Sequence, residues 1–182
     1  DGTIVDDPTG LGINYAGYVI HSAIHGARHD LQAVLHTHTR DGIAVSAQKQ
    51  GLLPISQHAI AFSGRVAYHG YEGVALDLDE RERLVADLGD KSVMILRNHG
   101  LLTGGVSVEH AFQQLQSLER ACNIQIAAQA AGNAELIFPP ADVVAKVEQQ
   151  AKVFSNGEGP GVARHWNALV RQLERTDTDY KN

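Results

Sequence analysis

The chain has 182 residues and a mass of 19.6 kDa, which suits one domain with a sizeable core. Hydrophobic residues make up 43% and charged residues 20%, and no apolar run approaches the roughly 18 residues of a membrane span, which excludes a disordered chain and a helical membrane span. The 15 basic residues against 21 acidic ones leave a net charge of −6, so there is no electrostatic footprint for nucleic acid or an anionic membrane surface.

The single cysteine, Cys122, excludes an internal disulfide and points to a reducing, cytoplasmic setting. Histidine is the outlier, with 10 residues. Six of them, His21, His25, His29, His36, His38 and His58, fall in one short stretch. The chain opens on Asp1-Gly2-Thr3 without Met and without a signal-like segment, so the expectation is one domain over residues 1–182 that lacks its N-terminal portion.

Residues 1–14 are polar and rich in Gly, Pro and Asp, which predicts a loop. Helical spacing of apolar residues from Ala16 to Ala27 predicts a helix over 16–29, with His21, His25 and His29 on a separate, solvated stripe. The run Ala33-Val34-Leu35 predicts a buried strand over 32–38, and a helical pattern returns over 41–49. Between Leu52 and Tyr71 the sequence offers short β-prone stretches broken by Gly64 and Gly70. Asp79 with Glu82 three residues on has the form of a capping box, for a helix that stops at Gly89. Residues 92–97 predict a second buried strand, running into Asn98-His99-Gly100. A turn at Gly104-Gly105 then precedes a long helix over 107–131, whose stripe from Val108 to Cys122 makes Cys122 a packing residue. Pro139-Pro140 opens another helix to Phe154, and a flexible segment, Gly157-Glu158-Gly159-Pro160-Gly161, leads to a last helix over 163–175. Strands interleaved with helices make the chain α/β or α+β, with a sheet covered by helices.

Residues two apart on a strand share a face, so His36 and His38 can direct their imidazoles to one point. His99 also stands where a strand ends, and Gly100 permits a sharp exit that turns its ring to the same edge. Three neutral imidazoles make a facial N3 site suited to Zn²⁺, Mn²⁺, Fe²⁺ or Co²⁺, with coordination positions open for substrate or water. Arg97, two residues before His99, would share its face and clamp a substrate carboxylate if the strand pairing persisted; an ion-pair role is the alternative. Tyr68, His69 and Tyr71 form a polar-aromatic cluster that either lines the pocket or simply builds a turn.

His36-Thr37-His38, the segment from Gly51 to Gln57, Asn98-His99-Gly100-Leu101-Leu102 and Leu118-Glu119-Arg120-Ala121-Cys122 together resemble the class II aldolase/adducin family, over about Asn14 to Gly132. The resemblance implies a three-layer α/β/α sandwich around a mainly antiparallel sheet, a homotetramer with sites at subunit boundaries, and a divalent metal, zinc first with manganese or iron as alternatives, on His36, His38 and His99. It also places an acid/base group after Pro54, reaching a neighbouring subunit's metal, and His58 fits that position. Two departures stand out. The glutamate that the family's sugar-phosphate aldolases carry nineteen residues before the first metal histidine is Gly17 here, and the expectation for a chain opening at Asp1 is that it lacks the N-terminal segment holding most of the family's phosphate-binding loops.

Without that base, enolate formation by proton abstraction loses its agent. Decarboxylation needs no such step, because loss of CO₂ itself generates the carbanion. The expectation is therefore a metal-dependent carbon–carbon lyase on a small oxo- or hydroxy-acid, with decarboxylase ahead of aldolase, His58 returning the proton, and Arg97 and Tyr71 contacting substrate. A non-haem iron oxygenase on the same three histidines and a non-catalytic adducin-like interaction module are the competing readings.

Overall fold

The computed structural model describes residues 3–73, 78–130, 132, 135–154 and 160–181. Asp1 and Gly2, the Ala131 end expected for the long helix, and Gly157–Gly159 of the expected flexible segment lie outside the described residues.

The elements in chain order are α1 (Tyr15–Ala27), β1 (Ala33–Thr37), α2 (Arg40–Ser46), α3 (Gln57–Ile60), β2 (Val66–His69), α4 (Glu80–Leu88), β3 (Val93–Leu96), β4 (Gly100–Gly105), α5 (Val108–Gln129), α6 (Ala141–Phe154) and α7 (Pro160–Thr176), followed by a short 3-10 turn at Asp179–Lys181. The four strands form one sheet in the order β1-β4-β3-β2. β4 runs antiparallel to both β1 and β3, whereas β2 and β3 are parallel. The sheet is thus mainly antiparallel but mixed, the parallel pair being joined through α4.

Two apolar layers sandwich this sheet. Strand residues alternate between its faces, so Met94, Leu96 and Leu102 pack against Ile20 and Ile24 of α1 and Leu84 and Leu88 of α4. Val93, Ile95 and Leu101 point the other way, onto Val45 of α2 and Leu115, Leu118 and Cys122 of α5. β3 is buried at every position, as a central strand covered on both faces must be. Cys122 belongs to this core, and burial, with Glu119 next in effect, pushes its thiol up to about 12.

Three expectations need correction. The stretch Gly100–Gly105 is a strand, paired on both sides, where the two glycines predicted a turn. Its glycines answer to close packing: a Cβ on Gly104 would lie 2.7 Å from Leu31 Cδ1, and one on Gly105 would lie 2.5 Å from the Ala111 nitrogen. Residues 52–56 form no strand; Ser56 instead caps the short helix α3, accepting from the Ala59 N–H. Asp79 precedes α4 in helical geometry (φ −70°, ψ −22°) and gives no side-chain cap bond, because a capping side chain needs the extended backbone that Asp79 does not adopt.

The topology positions the site. β1 and β3 both lie antiparallel to β4, and β2 is parallel to β3. The C-terminal ends of β1, β2 and β3 therefore meet at one edge of the sheet, the edge at which open α/β sheets gather their ligand-binding residues.

Candidate metal centre

His36 lies in β1, His38 directly beyond its end, and His99 in the turn between β3 and β4. That turn is tight. The His99 N–H donates to the Leu96 carbonyl at 3.1 Å, and Asn98 takes a left-handed φ of 55°, a conformation that asparagine tolerates better than most side chains. Gly100 then lets β4 begin hard against β1, since a Cβ there would collide with the Thr37 carbonyl oxygen and lie 3.3 Å from His38 Cδ2.

The result is a three-sided cluster of imidazoles. Ring centroids are 4.7 Å apart for His36–His38 and His38–His99 and 4.8 Å for His36–His99. His36 Nε2 lies 2.8 Å from His38 Nε2 and 3.3 Å from His99 Nε2. A metal with M–N bonds of about 2.0–2.1 Å and N–M–N angles between about 90° and 109° holds its nitrogens roughly 2.8–3.4 Å apart. The donor set fits a divalent ion, and it is the one such cluster among the described residues.

Tautomer and charge point the same way. His36 Nδ1 is 2.9 Å from the Leu101 carbonyl oxygen, which can only accept, so Nδ1 carries the proton and the Nε2 lone pair faces the cluster. Burial drives the His36 pKa down to about 4; the Leu101 bond opposes this, and His99, His38 and His21 reinforce it. His99 is held below the ordinary imidazole value by burial first, then by His38 and His69. Both rings thus favour the neutral, ligating form.

Surrounding residues hold the frame. Thr39, at the N-terminus of α2, donates to Glu119 Oε2 at 2.5 Å, fixing the segment just after His38 to α5. Asn123 donates to Asp41 at 2.7 Å one turn further along α5. Glu119 and Asn123 thus tie α5 to α2, contacts that residue order does not display; the Asn98 turn and the Leu101 carbonyl carry no signal beyond the glycine after His99.

The other anticipated residues divide. Tyr71 follows β2 and its ring stands 6.4 Å from that of His99, edge to face. Arg97 does not continue the strand, because β3 ends at Leu96. Its N–H donates to the His69 carbonyl, its Nη1 donates to the Gln48 carbonyl at 2.7 Å, and its Cζ stacks 4.2 Å over the Tyr68 ring. Tyr68 also accepts from the Leu52 N–H. His69 is buried between Asp87 (2.7 Å) and Glu80 (3.4 Å). Tyr68 and His69 therefore serve packing. His58 lies on α3 in a cavity of about 770 Å³ whose lining includes none of the three clustered histidines. At Gly17 a Cβ would approach only Asn14, at 3.9 Å, and among the described residues no carboxylate joins the three clustered histidines. His21, one helical turn on, is held low by burial and by His25.

Comparison with known proteins agrees with this frame. The family described as Class II Aldolase and Adducin N-terminal domain matches residues 1–126. An aldolase class 2 protein of Pseudomonas aeruginosa is 49% identical over 170 residues, covering 93% of this chain and 65% of the relative. Rat alpha-adducin is 44% identical over 185 residues, and the chain spans 95% of itself but only 25% of that protein. Among solved structures, an aldolase II superfamily protein from Pseudomonas syringae matches with a TM-score of 0.94 at 86% identity, over 100% of this chain and 72% of that one. L-fuculose 1-phosphate aldolase from Glaciozyma antarctica matches with a TM-score of 0.75 at 27% identity, over 96% and 66%. The chain belongs to the class II aldolase/adducin family.

Proposed function

We propose that this protein is a metal-dependent carbon–carbon lyase acting on a small oxo- or hydroxy-acid, with decarboxylation favoured over aldol cleavage. The observation that carries the reading is the convergence of three Nε2 atoms, with the His36 ring oriented by the Leu101 carbonyl. A divalent ion on His36, His38 and His99, zinc in the first instance and manganese or iron as alternatives, would supply Lewis-acid polarisation of a carbonyl oxygen. His36, His38 and His99 would hold the ion through their Nε2 atoms, at a sheet edge where His38 is exposed. Tyr71, whose ring contacts that of His99, would donate a hydrogen bond to an oxygen on which charge develops. Arg97, committed to Gln48 and Tyr68, supports the β3–β4 turn rather than clamping substrate. His58 would return the proton from a neighbouring subunit, as the family resemblance implies.

Decarboxylation ranks above aldol chemistry because Gly17 offers no base. An adducin-like interaction role is the second reading, favoured by the 44% identity to rat alpha-adducin across nearly the whole chain. Two measurements decide. Protein purified without added metal should contain about one divalent ion per chain by elemental analysis, and His99→Ala should lose it. Incubation with a panel of 3-oxo acids, whose loss of CO₂ leaves an enolate that the metal can hold, should then release CO₂ in a chelator-sensitive manner. Stoichiometric metal in His99→Ala would sink the site assignment, and metal-free wild-type protein without turnover would favour the interaction module.

A further inference from the structure

The cavity between α3, α5 and α6 is lined by none of this chain's three clustered histidines. Of its lining residues Arg65 is the one arginine or lysine, and no Asp or Glu joins it. Among the described residues no carboxylate pairs with this guanidinium. Its Nη1 donates to the Ala61 carbonyl and its Nη2 to Gln114 Oε1, both at 3.1 Å, while its Cζ sits 5.7 Å from the Phe62 ring centroid. Those bonds use two of the five N–H groups an arginine carries. Gln114 is itself pinned, donating to the Gly104 carbonyl at 2.6 Å, so the guanidinium is anchored in place. Burial lowers the Arg65 pKa, the direction expected for a cation taken from water without a counter-charge.

A half-buried, uncompensated cation is costly unless an anion arrives. The space around it suits a small molecule: about 770 Å³ falls within the range of ligand pockets, roughly 300–1,000 Å³. Neutral donors and acceptors, Gln113 and Ser117 among them, share the wall with the apolar side chains of Phe62, Val147 and Ala151. We infer that the Arg65 cavity is a second ligand site, which takes a small organic carboxylate with its charged end on Arg65 and an apolar body against Phe62 and Val147. One guanidinium matches a monoanion better than a phosphate dianion, which ordinarily gathers several cations or a helix N-terminus.

The test is a ¹H–¹⁵N chemical-shift titration of the purified chain with sodium benzoate, with benzamide as the neutral isostere and inorganic phosphate as the competing anion. Benzoate should bind saturably, shift amides of Gln57–Arg65 and Gln113–Ser117, and bind at least tenfold more tightly than benzamide or phosphate. Arg65→Met should weaken benzoate at least tenfold while leaving benzamide unchanged, and Arg65→Lys should retain part of the preference. Equal binding of benzoate and benzamide, shifts confined to His36–Thr39 and Tyr71, or undiminished binding by folded Arg65→Met would each overturn the inference. Tighter binding of phosphate would overturn the carboxylate assignment. If Arg65→Met does not fold, the benzoate/benzamide ratio in wild type and Arg65→Lys decides alone.

Discussion

Individual imidazoles at the sheet edge trade proton affinity for ligand readiness. Nitrogens 2.8 Å apart, as in His36 and His38, demand either a proton between them, which a neutral His38 carrying its N–H at Nε2 can donate, or a shared cation. His36 cannot meet that demand with its own proton until the pH nears its value of about 4. The sign of the consequence follows. An unfolded histidine takes a proton near pH 6.5, so between about 6.5 and 4 the unfolded chain binds more protons than the folded one and stability falls as pH falls. Above that window this group contributes no pH dependence. In chelator, wild-type protein should therefore melt at lower temperature at pH 5 than at pH 7.5, and His36→Gln should show a smaller drop; an equal drop in the two proteins would refute the depressed His36 pKa. How readable the site was in the sequence also sorts by residue. His36, His38 and His99 were legible because alternation along a strand and the end of a strand are both visible in residue order. Arg97 was misplaced because its face depends on strand pairing continuing past Leu96, whereas the chain turns there through Asn98. Turn geometry of that kind is decided by tertiary packing.

Elements show the same division between local and tertiary causes. α1, α5 and β3 follow from apolar spacing, since each buries one stripe or both faces of itself in the two core layers. β4 escaped because glycine at both ends of Gly100–Gly105 normally weakens a strand, and only the packed structure reveals why glycine is required. The requirement is strongest at Gly105, where an added Cβ would meet the Ala111 nitrogen at 2.5 Å, the Ser107 carbonyl oxygen at 2.9 Å and the Ala111 Cα at 3.0 Å. All three atoms belong to backbone at the start of α5, and backbone does not rotate aside as a side chain does. Gly105→Ala should thus destabilise the fold by about 2–3 kcal/mol through overpacking, seen as a lower urea midpoint with unchanged m-value. Gly161→Ala, in the first turn of α7 with nothing within 4 Å of the new methyl, serves as the control and should be neutral or stabilising by up to about 1 kcal/mol. Similar losses in both variants would argue against close packing as the reason for the β4 glycines.

At the scale of the whole molecule the proposed reaction lacks one participant in a single chain. The histidine cluster opens at the sheet edge, where His38 is exposed and Tyr71 retains 55% of its surface. The imidazole proposed to return the proton, His58, lies in a separate cavity lined by none of the clustered histidines. Large apolar side chains also stay uncovered in the segments flanking the core, with Val5 at 95%, Leu11 at 87% and Ile137 at 89% exposure. A neighbouring copy that covers such side chains and brings its His58 to this chain's cluster would meet both needs, through the head-to-tail type of contact that closes rings of subunits. The arrangement predicts complementation. His99→Ala subunits lack the cluster and His58→Ala subunits lack the donor, so each homo-oligomer alone should release little CO₂ from a 3-oxo acid substrate. Unfolded and reassembled in equal amounts, the two should recover about one quarter of wild-type activity, because each site draws its cluster and its donor independently from equal pools. Native mass spectrometry would confirm that mixed assemblies had formed. Mixed assemblies without recovered activity would mean that His58 acts within its own chain, whereas full activity of His58→Ala alone would pass the role of proton donor to Tyr71, at the edge of the His99 ring.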